Sequence, residues 1–95
     1  MRIKKSQTNL LKQLIQNVVP GCSVYLFGSR AKDSLKGGDI DILVLGERQL
    51  TGQEKRDVKI AFYKEFGEQK IDLVSFRRDD ESSFKDYALL ESVEL

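Results

Sequence analysis

The stretch Val24-Tyr25-Leu26-Phe27-Gly28-Ser29-Arg30-Ala31, followed after a short polar segment by Gly38-Asp39-Ile40-Asp41-Ile42-Leu43-Val44-Leu45, decides the reading of this chain. Two apolar, strand-like runs flank a Gly-Ser corner. The second run opens with carboxylates at i and i+2, and strand side chains two apart share a face. Asp39 and Asp41 are therefore expected side by side, roughly 6 to 7 Å apart at their Cα atoms. That separation lets both ligate one cation or a pair of cations. A third acid, Asp72, lies inside another apolar run, Ile71-Asp72-Leu73-Val74-Ser75-Phe76. An aspartate in a buried strand is costly unless it is paired or metal-bound. Three such acids predict a cation site.

Upstream, Leu10, Leu11, Leu14, Ile15, Val18 and Val19 recur at helical spacing over residues 6–19. Ser6 or Thr8 is the expected cap, and Pro20-Gly21 the stop. Residues 23–27 read as a short buried strand. Arg30 to Leu35 are expected to form one or two helical turns, and Lys36-Gly37-Gly38 a turn. The unbroken apolar run that follows the acids in residues 39–45 predicts a strand buried on both faces. Downstream, Thr51-Gly52-Gln53-Glu54 fits a capping box, with Thr51 at the N-cap and Glu54 at the third helical position. That helix shows one apolar face through Val58, Ala61, Phe62 and Phe66, and Gly67 is its natural end. Lys70 to Phe76 is a third strand and Arg77 to Glu81 a charged loop. Residues 82–91 form a last helix with Phe84, Tyr87, Ala88 and Leu90 as its apolar positions. The expected fold is α/β (α+β): one domain over residues 1–95, with a small mixed sheet of about three strands and helices packed on it.

Composition narrows the function classes. Of the 95 residues, 33% are charged and 40% hydrophobic, and the net charge is +1. That balance makes no case for a general nucleic-acid binder. There is no run of about 18 apolar residues to cross a membrane, and no secretory leader is read at the N-terminus. The single cysteine, Cys22, has no internal disulfide partner and fits a reducing cytoplasm. It reads as a small buried apolar residue. With no histidine in the chain, His-based zinc sites and His acid–base chemistry are excluded. Taken singly, Gly-Ser is a common turn, and Asp-x-Asp on a strand also suits calcium ligation or an acidic receiver-type pocket. An EF-hand loop is disfavoured, because Leu43 falls where its third ligand belongs.

Taken together, the strand, Gly28-Ser29, nine residues, the Asp39-x-Asp41 strand and the later Asp72 strand resemble the signature of the DNA polymerase β-type nucleotidyltransferase superfamily. The short length is similar to minimal nucleotidyltransferase (MNT) domains, the antitoxin half of HEPN/MNT toxin–antitoxin pairs. The pattern departs from many MNT domains at Asp33, where glycine is common, and at Gly38, where serine is common.

The resemblance implies a polymerase β-like fold and a Mg²⁺-dependent nucleotidyltransferase that takes ATP as substrate. Asp39, Asp41 and Asp72 would be the catalytic, metal-holding acids, with two magnesium ions expected. Gly28 and Ser29 would meet the triphosphate, and Arg30 would neutralise a phosphate oxygen. The implied partner is a HEPN toxin, an α-helical ribonuclease, and the implied reaction moves AMP to a hydroxyl on it, that of a tyrosine. The alternative is a catalytically inactive antitoxin that neutralises its HEPN partner by stoichiometric binding. Transfer to a small molecule is disfavoured because no second domain is present to hold one. Arg77 and Arg78, which follow the Asp72 strand, are expected at the end of the sheet where the site lies, in a solvated charged loop.

Overall fold

The computed structural model describes residues 4–27 and 39–95, with the backbone alone at Asp39. Its elements are α1 (Lys5–Val18), β1 (Ser23–Phe27), β2 (Asp39–Gly46), α2 (Gly52–Phe66), β3 (Lys70–Arg77), α3 (Ser83–Leu90) and β4 (Val93–Glu94). Among the described residues the strands form one sheet in the order β3-β2-β1-β4. β1 runs antiparallel to β2 and to β4, while β2 runs parallel to β3, so the sheet is mixed. α2 makes the crossover that a parallel neighbour requires.

The apolar patterns explain the layers. On one face of the sheet Ile40, Ile42 and Val44 pack with Val24 and Leu26 of β1 and Ile71 and Leu73 of β3. Leu11 and Ile15 of α1 and Val58 and Phe62 of α2 close over them. Leu43 stands on the opposite face and is also fully buried. The expectation that β2 is covered on both sides therefore holds. α3 supplies part of that second cover: Phe84 meets Phe27 edge-on at 6.2 Å between ring centroids and lies 6.1 Å from Phe76.

Local chemistry sets the ends of the helices. α1 starts earlier than expected. The Lys4 backbone N–H donates to Gln7 Oε1 at 3.0 Å, which places Ser6 and Thr8 inside the helix. The Thr8 hydroxyl instead donates back to the Lys5 carbonyl at 2.9 Å. Gly21 follows α1 with φ of +80°, a conformation natural to glycine. The capping box of α2 is formed as read: Thr51 N–H donates to Glu54 Oε1 at 2.8 Å, and Glu54 N–H donates to Thr51 Oγ1 at 3.1 Å. Gly67 ends that helix with φ of +88°. Arg48 grips the Glu54 carboxylate through two bonds of 2.8 Å and also donates to the Val18 carbonyl, so one guanidinium links α1 to the start of α2.

The expected small mixed sheet of about three strands is found, with a short fourth strand, β4, added at one edge. β4 is two residues long, too short to show a period, and is completed by Leu95 N–H donating to the Val24 carbonyl at 2.8 Å. One expectation needs correction: α3 is turned differently from its apolar pattern. Ala88 is buried as expected, but Lys85 is buried beside it, while Tyr87 and Leu90 face solvent. The Lys85 amine donates to the backbone carbonyls of Arg78 and Asp80. Those bonds satisfy the loop before the helix and set its rotation. The helical turn expected over residues 30–35 lies outside the described residues. Among the described residues no helix is long and apolar enough to cross a membrane.

Ser75 is buried on the core face of β3, and its Oγ accepts the Leu50 N–H at 2.8 Å. Ser75→Ala strands that buried donor and should cost about 1–3 kcal/mol, read as a lower urea midpoint with an unchanged m value. The Arg48 hydrogen bonds, helped by Thr51 N–H, hold the Glu54 carboxyl at about 2, well below the 4.5 of an ordinary glutamate. A carboxyl depressed in the folded state contributes stability that is fully present above its unfolded value and is lost as pH falls toward the folded one. Glu54→Gln should therefore flatten the stability–pH curve between about pH 4.5 and about pH 2.

Candidate active site

The acids converge because of strand register. β2 begins at Asp39, and backbone alternation assigns positions 39 and 41 to the face of the sheet opposite α1 and α2. In the parallel β2–β3 ladder Asp41 is the partner of Asp72, and Asp39 is the partner of Lys70. Paired residues of neighbouring strands point the same way, about 4.8 Å apart. On its other side Asp41 is paired with Phe27, the last residue of β1. One row across the sheet thus reads Phe27, Asp41, Asp72. It lies at the end of β1 from which the chain continues into Gly28, Ser29 and Arg30. Those three residues, and Asp33 and Gly38 with them, lie outside the described residues.

Asp72 differs from its expected setting. It is exposed rather than buried, because β3 is an edge strand that buries only Ile71, Leu73 and Ser75 toward the helices. Its charge therefore needs no buried partner. Asp41, on the inner strand, is half-buried. The donors gathered here are carboxylate oxygens, which suit a hard dication such as magnesium; that ion binds through one or two carboxylates and completes its shell with water and phosphate. Among the described residues no group of three or more Cys, Asp or Glu side chains is placed to hold a metal ion. The two acids placed side by side by the described residues are Asp41 and Asp72, with Asp39 at the adjoining backbone position.

Arg77 and Arg78 are not at this end. β3 runs parallel to β2, so the five residues from Asp72 to Arg77 carry the chain about 16 Å toward the far edge. There Arg78 donates to the Gly21 carbonyl at 2.7 Å and to Ser23 Oγ at 3.1 Å, and Arg77 pairs with Asp79 at 3.0 Å. Among the described residues the base at the acidic end is Lys70, two residues before Asp72 and therefore on the same strand face. The i, i+2 spacing of Lys70 and Asp72 is the signal in the sequence for that shared face. Cys22 is buried at the opposite end of β1, and burial pushes its thiol up despite the nearby Arg78 charge. It behaves as the small apolar residue expected.

Known proteins share this arrangement of elements. The family described as polymerase beta, nucleotidyltransferase matches residues 8–95. The chain is 29% identical over 80 residues to the probable protein adenylyltransferase MntA of Haemophilus influenzae, covering 83% of this chain and 70% of that one. Among solved structures, a chain of a toxin–antitoxin with AMP-PNP superposes with a TM-score of 0.70 at 22% identity, covering 90% of this chain and 69% of the other. A chain of the tri-AMPylated Shewanella oneidensis HEPN toxin in complex with MNT antitoxin gives 0.68 at 20% identity, covering 97% and 71%.

Placing two like charges directly opposite each other across a strand pair is destabilising by roughly 0.2–1 kcal/mol. Asp72→Asn should therefore raise the urea midpoint of the free protein by a correspondingly small amount. A lowered midpoint would show that Asp72 is held by favourable contacts that outweigh its repulsion with Asp41.

Proposed function

The chain belongs to the polymerase beta nucleotidyltransferase family, and from that premise we propose that it is a magnesium-dependent adenylyltransferase acting on a HEPN toxin as its antitoxin. The observation that carries this reading is the register of Asp41 with Asp72 beside the start of β2 at Asp39. The names of its relatives support the nucleotide and the partner: MntA of Haemophilus influenzae is a probable protein adenylyltransferase, and similar structures contain a HEPN toxin or AMP-PNP.

In the proposed reaction a tyrosine hydroxyl of the toxin attacks the α-phosphorus of ATP. The new O–P bond forms as the bond to the β-phosphate bridge breaks, and pyrophosphate leaves. Asp72 stands on an open edge strand and takes the hydroxyl proton. Asp39, Asp41 and Asp72 would hold the magnesium, which supplies stabilisation of the charge gathered on the phosphoryl oxygens. Gly28 and Ser29 would let the backbone approach the triphosphate, and Arg30 would neutralise one of its oxygens. The added phosphate places bulk and negative charge on the toxin, which opposes RNA binding near its cleft.

The test uses Mg²⁺ with ATP labelled on the α-phosphate and, in parallel, on the γ-phosphate, in the presence of lysate from the protein's own source. The α-label alone should enter one protein band. Asp39→Asn/Asp41→Asn should reduce that transfer by at least about 100-fold, the scale of losing electrostatic stabilisation of a transition state. Full toxin neutralisation by the double variant, with the complex intact, would replace the catalytic reading with antitoxin action by binding alone.

A further inference from the structure

The sheet face that carries the acids also carries an exposed apolar ridge. α3 presents Phe84, Tyr87 and Leu90 at successive i+3 positions, 48%, 65% and 85% exposed. At 1.5 Å per residue they span about 9 Å along the helix. The ridge crosses the same sheet face as the acidic row. The Phe84 ring lies between Phe27, the register partner of Asp41, and Phe76, the register partner of Leu45, and after Leu90 the chain enters β4 beside Leu26. The exposure follows from the rotation of the helix, which is set by Lys85 and Ala88 turning inward and by the Lys85 amine bonding the Arg78 and Asp80 carbonyls. Clustered aromatic and aliphatic exposure of this kind marks interaction surfaces on soluble proteins.

Charge identifies what fits. From Asp79 to Leu95 the sequence holds six acids (Asp79, Asp80, Glu81, Asp86, Glu91 and Glu94) and a single base, Lys85, whose buried amine is engaged with backbone. Asp79 is paired with Arg77, and the acids that lie on or beside α3 are Asp86, Glu91 and Glu94, in a chain that is near neutral at +1. Asp86 lies on α3 and Glu91 caps its end, while Glu94 is paired with Tyr25 and falls on the same sheet face as the helix. Complementary charge across an interface favours the matching partner and rejects like charge.

We propose that the α3 ridge is the docking surface for the acceptor protein, and that the matching surface of that protein has an apolar centre rimmed by lysine and arginine. This rests on the toxin-modifying reading above and adds where the toxin sits. A ribonuclease must attract phosphates and is basic around its cleft, which matches an acidic rim. A partner seated on Tyr87 and Leu90 lies on the sheet face that carries Asp41 and Asp72, and its hydroxyl reaches them by way of Phe27. A second copy of the chain fits poorly, because a two-fold contact would set acid against acid. RNA is rejected for the same reason.

The test titrates the purified HEPN ribonuclease of the same source into the wild-type protein at low and high salt. The same titration is made with Tyr87→Ser/Leu90→Ser, Asp86→Lys/Glu91→Lys and Asp39→Asn/Asp41→Asn, with circular dichroism to check folding. The first two variants should bind at least about tenfold more weakly, as hot-spot truncations do. The charge-reversed variant should also lose the weakening of affinity by salt. The aspartate variant should lose label transfer yet bind more tightly than the two ridge variants, which separates loss of chemistry from loss of docking. Ridge variants that bind as wild type does would overturn the docking surface and leave the function standing. No binding by the wild type would remove both. A wild-type dimer made monomeric by the ridge variants would overturn the proposal in favour of self-association. Ridge-dependent binding without label transfer would support the surface while removing the catalytic reading.

Discussion

The parallel ladder between β2 and β3 is the constraint on which the rest of the structure depends. Strand side chains alternate, so a slip of one residue would send Asp72 toward the helices and Ile71 into solvent. Several independent features oppose that slip. Ile71 and Leu73 fill the core under α1 and α2, and the Ser75 hydroxyl reaches the Leu50 N–H at the start of the crossover. α2 is held at its entry by Arg48 and Thr51 and released by Gly67. The acids therefore need no stabilisation of their own to be adjacent. The core chooses the register, and the register places Asp41 against Asp72.

At the far end of the same ladder the chain is packed closely. A Cβ on Gly46 would stand 2.9 Å from Val19 Cγ1 and 3.2 Å from the Cys22 Cβ, so the end of β2 passes directly under the turn between α1 and β1. Gly46 also accepts the Arg78 N–H at 3.0 Å. One end of the sheet is thus closed by packing and by arginine bonds to backbone carbonyls. The other end carries carboxylates and Lys70. The closely packed far end holds the strands together, so the acidic end does not have to.

Features written in local chemistry were legible in the sequence. The Thr51–Glu54 box, the Gly67 stop, the limits of β1 and the two-sided burial of β2 all follow from short-range patterns, and each is found. Features that depend on how elements sit on one another were not. Asp72 looked buried because its neighbours are apolar, but an edge strand shields only one face. The arginines after β3 looked close to the acids because they follow Asp72 in the chain, but a parallel strand carries them away. Tyr87 and Leu90 looked like part of the packed stripe of α3 because they are apolar, but the loop before the helix had carbonyls to satisfy, and the helix turned Lys85 inward to supply the amine. In each case a three-dimensional neighbour outweighed the local pattern.

The two borders of the sheet are unequal. On one side β4 offers two residues, a border too short to recruit another strand. On the other, among the described residues, β3 offers eight, and a border of that length invites a foreign strand to add itself. Charge at its exposed positions, Lys70, Asp72 and Arg77 among them, opposes such addition. A carboxylate at position 72 is thus of use even in a molecule that never meets a nucleotide: it disfavours fibre-like growth along the longest border of the described sheet.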